Sequence, residues 1–179
     1  MGAFLRDTLV LLSIRGRAAD VSQSMNIMAL VLAAATTLNT VLGATDWLNG
    51  RPTASTVRGK VVLVDFYTFG CYNCKNVEPN LRVLYKNEPR SDLVILGVHS
   101  PETPYEHSRR ALIESFQDQG IAWPVAVDND FMIWNAYGVE AWPTQMIFDR
   151  RGALRKTIVG DSQDAAVNDE VSSLLRERI

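Results

Sequence analysis

The sequence contains two cysteines, Cys71 and Cys74, which stand three positions apart in the stretch GCYNC. A disulfide between them closes a loop of only four residues, and the chain-entropy model gives a loop of that size roughly 2 kcal/mol. A structural disulfide is therefore a weak use of the pair. A zinc site needs four ligands, and only His99 and His107 remain as soft donors. A haem attachment motif needs histidine where the sequence has Lys75. The spacing instead favours a redox pair.

The elements predicted around the pair favour an ionised thiol. Residues 60–67, KVVLVDFY, form a β-branched apolar run that is typical of a strand buried on both faces. The cysteines follow at once, and apolar residues from Val77 to Tyr85 then recur at helical spacing. A thiol between a strand and a helix N-terminus is stabilised as thiolate by free N–H groups and by the helix dipole. We therefore predict that Cys71 attacks as the nucleophile and that Cys74 resolves the mixed disulfide.

Asp65 lies in the middle of this apolar strand, six residues before Cys71. Burying a carboxylate is costly unless it is paired or protonated, so burial should raise the pKa of Asp65. One interpretation is a buried general base that takes the proton from Cys74 when that thiol attacks. The alternative is an aspartate at the strand's end that faces solvent.

The remaining chain alternates strand and helix patterns after a connector at residues 45–59 that has no clear period. The predicted elements are a buried strand at 92–99, a helix at 104–120, an extended piece at 123–130, a short helix at 130–139, a hairpin at 144–160 and a helix at 162–179. This order predicts an α/β fold whose central mixed sheet is flanked by helices, with parallel strands joined by right-handed crossovers.

Composition limits the class of protein. With 179 residues, 47% of them hydrophobic, the chain can bury the core of one soluble globular domain. A formal net charge of -2 gives no electrostatic case for nucleic acid. We expect a monomer with no nucleic-acid partner.

The N-terminal region differs from the rest of the chain. Residues 28–35 are apolar and as long as the hydrophobic core of a signal peptide, and Arg15 and Arg17 lie upstream. Polar residues around this run make it a mediocre membrane-spanning helix. An export signal, an uncleaved anchor and a buried or amphipathic helix are the three interpretations. We predict a signal or anchor segment over residues 1–44 and a globular domain over residues 45–179.

The stretch VVLVDFYTFGCYNCK at residues 61–75 resembles the signature of thioredoxin-fold thiol–disulfide oxidoreductases. The acidic residue, the cysteine pair and the following lysine stand in matching positions. Pro79 matches the proline that kinks the active-site helix of this family. The resemblance implies a thioredoxin-like fold in which Pro143 is a cis-proline that faces the cysteines and helps to hold an extended substrate segment. Trp142 would then form a wall of the substrate groove. The alternative is an ordinary trans-proline that opens an edge strand.

Within this family, the strand–helix insert at residues 100–131 is similar to that of the TlpA/ResA-like group, extracytoplasmic reductants of cytochrome c maturation. The cysteine region looks like the thioredoxin-like domains associated with the cytochrome c biogenesis transmembrane reductase. The resemblance implies an acidic residue near the active site at Glu102, and substrate contacts by Glu102 and Tyr72. There are two departures. Gly70 stands where many relatives carry tryptophan, and Tyr72–Asn73 replaces the Gly–Pro dipeptide of general thioredoxins, which tunes the redox potential.

The resemblance implies a thiol–disulfide oxidoreductase that needs no cofactor and no metal. It would be periplasmic, or membrane-anchored facing the periplasm, and would reduce protein disulfides with electrons from a membrane donor of the cytochrome c biogenesis type. A peroxiredoxin-like thiol peroxidase is an alternative, because Thr68 lies three residues before Cys71, although Val64 stands where that pattern has proline. A non-catalytic copper-binding or delivery module is a further alternative, with His99 and His107 as candidate ligands.

Overall fold

The computed structural model describes residues 37–177. The predicted signal or anchor segment lies outside the described residues, except for its last part at 37–44. Within residues 37–177, no helix has both the length and the apolar character needed to span a membrane.

One sheet of six strands forms the centre of the described domain. The strands are β1 (Trp47–Leu48), β2 (Val61–Tyr67), β3 (Leu93–His99), β4 (Val125–Val127), β5 (Thr144–Phe148) and β6 (Leu154–Val159). Their order across the sheet is β1-β4-β3-β2-β5-β6. Strands β2, β3 and β4 are parallel, whereas β1, β5 and β6 pair antiparallel with their neighbours. The predicted mixed α/β sheet is confirmed.

Helices cover both faces of this sheet. They are α1 (Leu38–Leu42), α2 (Ala54–Val57), α3 (Tyr72–Asn87), α4 (Arg109–Gln119), α5 (Met132–Tyr137) and α6 (Asp164–Arg176), with a 3-10 turn at Pro104–His107. Side chains of a strand alternate between the two faces. Val61, Leu63 and Tyr67 of β2 therefore lie in the layer that contains α3, α4 and α6, and Val62, Val64 and Phe66 lie in the layer that contains α1 and α5.

Two segments differ from the sequence predictions. The helix predicted over 104–120 is divided, because the Ser108 hydroxyl accepts a hydrogen bond from the Ala111 N–H and so starts a new helix after the 3-10 turn. This helix ends at Gly120, whose φ of 66° is left-handed. The connector at 45–59 contains β1 and α2, elements too short to produce a hydrophobic period.

A buried carboxylate connects the end of β4 to the loop before β5. Asp128 accepts hydrogen bonds from the N–H groups of Ile133 and Trp134, both at 2.9 Å, and so satisfies the first turn of α5. It also accepts one from the Ser100 hydroxyl at 2.9 Å. The Ser100 carbonyl in turn accepts a hydrogen bond from Nε1 of Trp142 at 3.0 Å. Asp128 therefore supports both α5 and the segment that precedes Pro143.

We expect Asp128→Ala to lower the free energy of unfolding by about 2–3 kcal/mol, because three donors lose an acceptor in a buried site. Urea unfolding of the oxidised protein measures the change. Asp169→Ala, at an exposed position of α6, is the matched control and should change stability by no more than about 0.5 kcal/mol. Equal effects of the two variants would contradict this role of Asp128.

Candidate active site

The two cysteines form a disulfide where β2 gives way to α3. Cys71 caps the N-terminus of α3, its Cα lies 5.3 Å from that of Cys74, and its Sγ accepts a hydrogen bond from the Cys74 N–H at 3.1 Å. Cys71 is 9% exposed and Cys74 is fully buried. No acidic residue lies in the first turn of the 16-residue helix. In the reduced protein this position favours a thiolate on Cys71, the more exposed of the two cysteines.

Proline residues lie on both segments that the resemblance singled out. Pro79 lies inside α3. The Trp142–Pro143 peptide bond is cis, as the resemblance implies. The Pro143 carbonyl accepts a hydrogen bond from the Gly160 N–H at 2.9 Å, which ties the proline loop to the end of β6. Trp142 is partly buried and packs against the core cluster that contains both cysteines.

Asp65 is buried in β2, on the same face of the sheet as α3. It is 2% exposed, and Gln145 of β5 and Gly97 of β3 are its neighbours in the two adjacent strands. Neither Oδ1 of Asp65 nor Nε2 of Gln145 has a hydrogen-bond partner within the described residues. Burial raises the pKa of Asp65 to about 7; the Gln145 side chain opposes this rise and Glu78 adds to it. The alternative of a solvent-facing aspartate is therefore wrong.

Glu78 is a second buried carboxyl group, and the sequence analysis missed it. It is buried on α3, and its Oε2 lies 3.6 Å from Nη1 of Arg82. Burial raises its pKa to about 7, against the opposing charges of Arg82 and Lys75. Glu78 stands four residues after Cys74, so helical periodicity alone would have placed it on the same buried face.

The sheet face below α3 also contains buried polar atoms that lack partners among residues 37–177. They include Oη of Tyr67 and Nε1 of Trp123. A Cβ at Gly97, the residue of β3 next to Asp65, would lie 3.2 Å from the Tyr67 ring and 3.4 Å from the Trp123 nitrogen. Both rings therefore pack against Gly97. Burial, together with the charges of Asp65 and Glu78, raises the pKa of Tyr67 well above its usual value. Tyr67 therefore remains a hydrogen-bond donor.

A buried histidine lies behind the loop that leads to Cys71. Nε2 of His99 is 3.2 Å from Oγ1 of Thr68, and the His99 ring stacks on Phe69 with 5.4 Å between ring centroids. Burial lowers the pKa of His99 to about 4, so the ring is neutral at physiological pH. Its sequence position gave no sign of this contact, because Thr68 follows β2 whereas His99 is the last residue of β3.

The residues predicted to contact substrate lie in different environments. Tyr72, the first residue of α3, is 76% exposed beside Cys71. Glu102 is exposed in the insert, and its backbone N–H, 2.8 Å from Oε2 of Glu106, donates to that buried carboxylate. The structure thus places Cys71 and Cys74 directly after the carboxyl end of β2, and Asp65 two residues before the last residue of that strand. The catalytic and substrate-binding roles stay predictions.

Within the described part of the chain, no group of three or more histidine, cysteine, aspartate or glutamate side chains could hold a metal ion. A cleft of about 500 Å³ is lined by residues close in sequence to the cysteines, Phe69, Lys75 and Glu78, and by Tyr105, but not by either cysteine.

Residues 36–157 match the AhpC/TSA family. The chain is 32% identical to Protein DipZ of Mycobacterium tuberculosis over 139 residues, which cover 75% of this chain and 20% of that protein. It is 27% identical to the thiol-disulfide oxidoreductase YkuV of Bacillus subtilis over 136 residues, covering 75% of this chain and 91% of YkuV. A thiol-disulfide isomerase structure from Corynebacterium glutamicum is similar at a TM-score of 0.67 and 26% identity, covering 75% of this chain and 94% of that one.

The chain spans about a fifth of the length of DipZ, and 91% of the length of YkuV. The predicted thioredoxin-like fold is confirmed, and so is the resemblance to TlpA/ResA-like thiol–disulfide oxidoreductases. With its redox pair at the start of α3, a cis-proline before β5 and a family match over most of its length, the chain belongs to the AhpC/TSA family.

Proposed function

We propose that the protein is a thiol–disulfide oxidoreductase that reduces protein disulfides by cycling Cys71 and Cys74 between dithiol and disulfide. The observation that carries this proposal is the disulfide itself, which joins Cys71, the more exposed cysteine at a helix N-terminus, to the fully buried Cys74 one turn later. Named relatives of similar length, such as YkuV, support it.

The reaction proceeds in two exchanges. The Cys71 thiolate attacks a substrate disulfide, so that a bond forms between Cys71 and one substrate sulfur while the other substrate sulfur leaves as thiolate. Cys74 then attacks Cys71, and the second substrate sulfur leaves. Two electrons have passed to the substrate, and the pair ends as a disulfide. Asp65, buried on the face of β2 that α3 covers and with one unpartnered oxygen, takes the proton of Cys74 during the second exchange.

Cys71→Ser should abolish the dithiothreitol-dependent reduction of insulin, because no nucleophile remains at the reachable position. Cys74→Ala should instead accumulate a mixed disulfide with the substrate, because the resolving sulfur is absent. Turbidity and intact mass measure the two outcomes. Full activity of Cys71→Ser, or no mixed disulfide on Cys74→Ala, would refute the proposal.

We expect Asp65→Asn to slow the resolution step about 100-fold at pH 8, because a positioned base is lost. In the native protein the base works only when ionised, so with a pKa of about 7 the resolution rate should rise as pH increases through about 7. The variant should lack this dependence. Stopped-flow fluorescence measures the rate, and Asp169→Asn on the exposed side of α6 serves as control. Native resolution rates in Asp65→Asn would exclude this role.

We further propose that the domain works outside the cytoplasm, in the reduction of disulfides during cytochrome c maturation. The apolar run at residues 28–35, with arginines upstream, supports an export or anchor segment. Leu38 and Val41 of α1 are buried in the domain, which supports a segment that is retained. An oxidising compartment would otherwise keep the pair closed, so net reduction requires a membrane electron donor.

Acid quenching and maleimide labelling of cells that produce the full chain test location, direction and donor together. In cells that have the membrane thiol reductase, we expect the protein outside the cytoplasm with both cysteines labelled. In cells that lack this reductase, we expect neither cysteine to be labelled. A chain of residues 37–179 is the control and should stay in the cytoplasm. Retention of the full chain in the cytoplasm, or a pair that is oxidised in both strains, would contradict this proposal.

A thiol peroxidase is the second candidate, because the chain belongs to the AhpC/TSA family and Thr68 lies three residues before Cys71. The Thr68 hydroxyl, however, is buried and lies 3.2 Å from His99. Rapid reaction of the reduced protein with hydrogen peroxide would favour this candidate. Copper delivery has less support, because the same contact engages Nε2 of His99, one of its two candidate ligands.

A further inference from the structure

The carboxylate of Glu106 joins the insert to the residue that precedes Cys71. Its Oε1 accepts a hydrogen bond from the Gly70 N–H at 3.0 Å. Its Oε2 accepts from the N–H groups of Glu102 and Thr103 at 2.8 and 2.7 Å, and from the Thr103 hydroxyl at 3.1 Å. Glu106 is only 3% exposed. Four donors on two loops therefore hold one carboxylate in a fixed place.

This carboxylate fills the space that a side chain at position 70 would occupy. A Cβ added to Gly70 would overlap Oε1 of Glu106. A side chain can yield to such an overlap only by moving, and four hydrogen bonds hold this one. Gly70 and Glu106 thus depend on each other: the glycine admits the carboxylate, and the carboxylate fixes the glycine's N–H.

Glu106 also brings a negative charge to a helix terminus that has none of its own. The first turn of α3 contains no acidic residue. Although burial raises the pKa of Glu106, hydrogen bonds from Thr103, Thr68 and Glu102 outweigh it and lower the pKa, so the group is ionised at neutral pH. A like charge nearby disfavours a thiolate. The other charged or titratable groups on the elements around the pair include Asp65, Tyr67, Tyr72, Lys75, Glu78, Arg82, His99, Glu102, Tyr105, His107 and Glu140.

We propose that Glu106 is a positioning residue of the redox centre, which fixes the backbone before Cys71 and holds a charge that disfavours the Cys71 thiolate. This inference rests on the proposed function. In the equilibrium with glutathione, the disulfide and two glutathione molecules give the dithiol and one glutathione disulfide. A less stable thiolate shifts this equilibrium toward the protein disulfide. Glu106 therefore makes the reduced protein a stronger reductant.

Glu106→Gln tests the charge while keeping the shape of the side chain. We expect the pKa of the Cys71 thiol to fall by about half a unit or more, measured by thiolate absorbance. The glutathione equilibrium should shift about threefold or more toward the reduced protein. Glu177→Gln, a loss of one carboxylate that pairs with Arg155 near the opposite end of the sheet, should change neither value.

Gly70→Ala tests the overlap between a side chain at position 70 and the Glu106 carboxylate while leaving the glutamate itself unchanged. The added methyl group should displace Glu106 and reproduce both shifts. Gly70→Ala combined with Glu106→Ala should add nothing to Glu106→Ala alone, because residues that share one contact are not additive.

The outcomes separate this inference from the proposed function. A native protein that does not cycle its disulfide overturns the proposed function. If the native protein cycles its disulfide but Glu106→Gln changes neither the pKa of the Cys71 thiol nor the equilibrium with glutathione, only the inference is overturned. If Glu106→Gln lowers only the melting temperature, Glu106 merely stabilises the fold and the inference is overturned. A higher pKa of the Cys71 thiol in Glu106→Gln would overturn the inference as well.

Discussion

The junction of β2 and α3 is the constraint on which the rest of the site depends. Strand β2 pairs with β3 on one side and β5 on the other, and all seven of its residues are buried. A strand held in this way fixes where α3 begins, and hence where Cys71 meets the free N–H groups of the first turn. The cysteine pair itself needs only correct spacing. Its reactivity depends on this fixed junction, because a thiolate is stabilised only where donors and dipole point at it.

The same burial that holds the junction makes the acids below it costly. Asp65 and Glu78 both have pKa values raised to about 7 by loss of water, and each has an oxygen without a partner in the described chain. Core positions of this kind are normally apolar, and the two neighbours of Asp65 in β2, Val64 and Phe66, are apolar and buried. A carboxyl group that is neither fully protonated nor fully ionised near neutral pH is poor for stability but well suited to accept a proton.

Local sequence patterns predicted the helices and strands, but they could not predict contacts between segments that are distant in sequence. The β-branched run predicted β2, the position of Asp65 inside that run favoured its burial over exposure to solvent, and Gly120 predicted the end of α4. Glu78 was within reach of the same reasoning, because i to i+4 spacing relates it to Cys74. The hydrogen bond between Gly70 and Glu106 was not, since it joins residues 36 positions apart. No local period encodes a contact of that kind, and single residues in loops carry no pattern.

The insert gains a role from these long-range contacts. Its first residue, Ser100, donates its N–H to the Tyr67 carbonyl at the end of β2 and accepts from Trp142, the residue before the cis-proline. Its Glu106 binds the N–H of Gly70. One short segment therefore contacts both loops that border the redox pair. A glycine at position 70 fits this arrangement, because a side chain there would occupy the place of the carboxylate that links the insert to the cysteine loop. The space beside Gly70 is filled by a carboxylate of the protein itself, and the exposed ring of Tyr72 follows Cys71 at the start of α3.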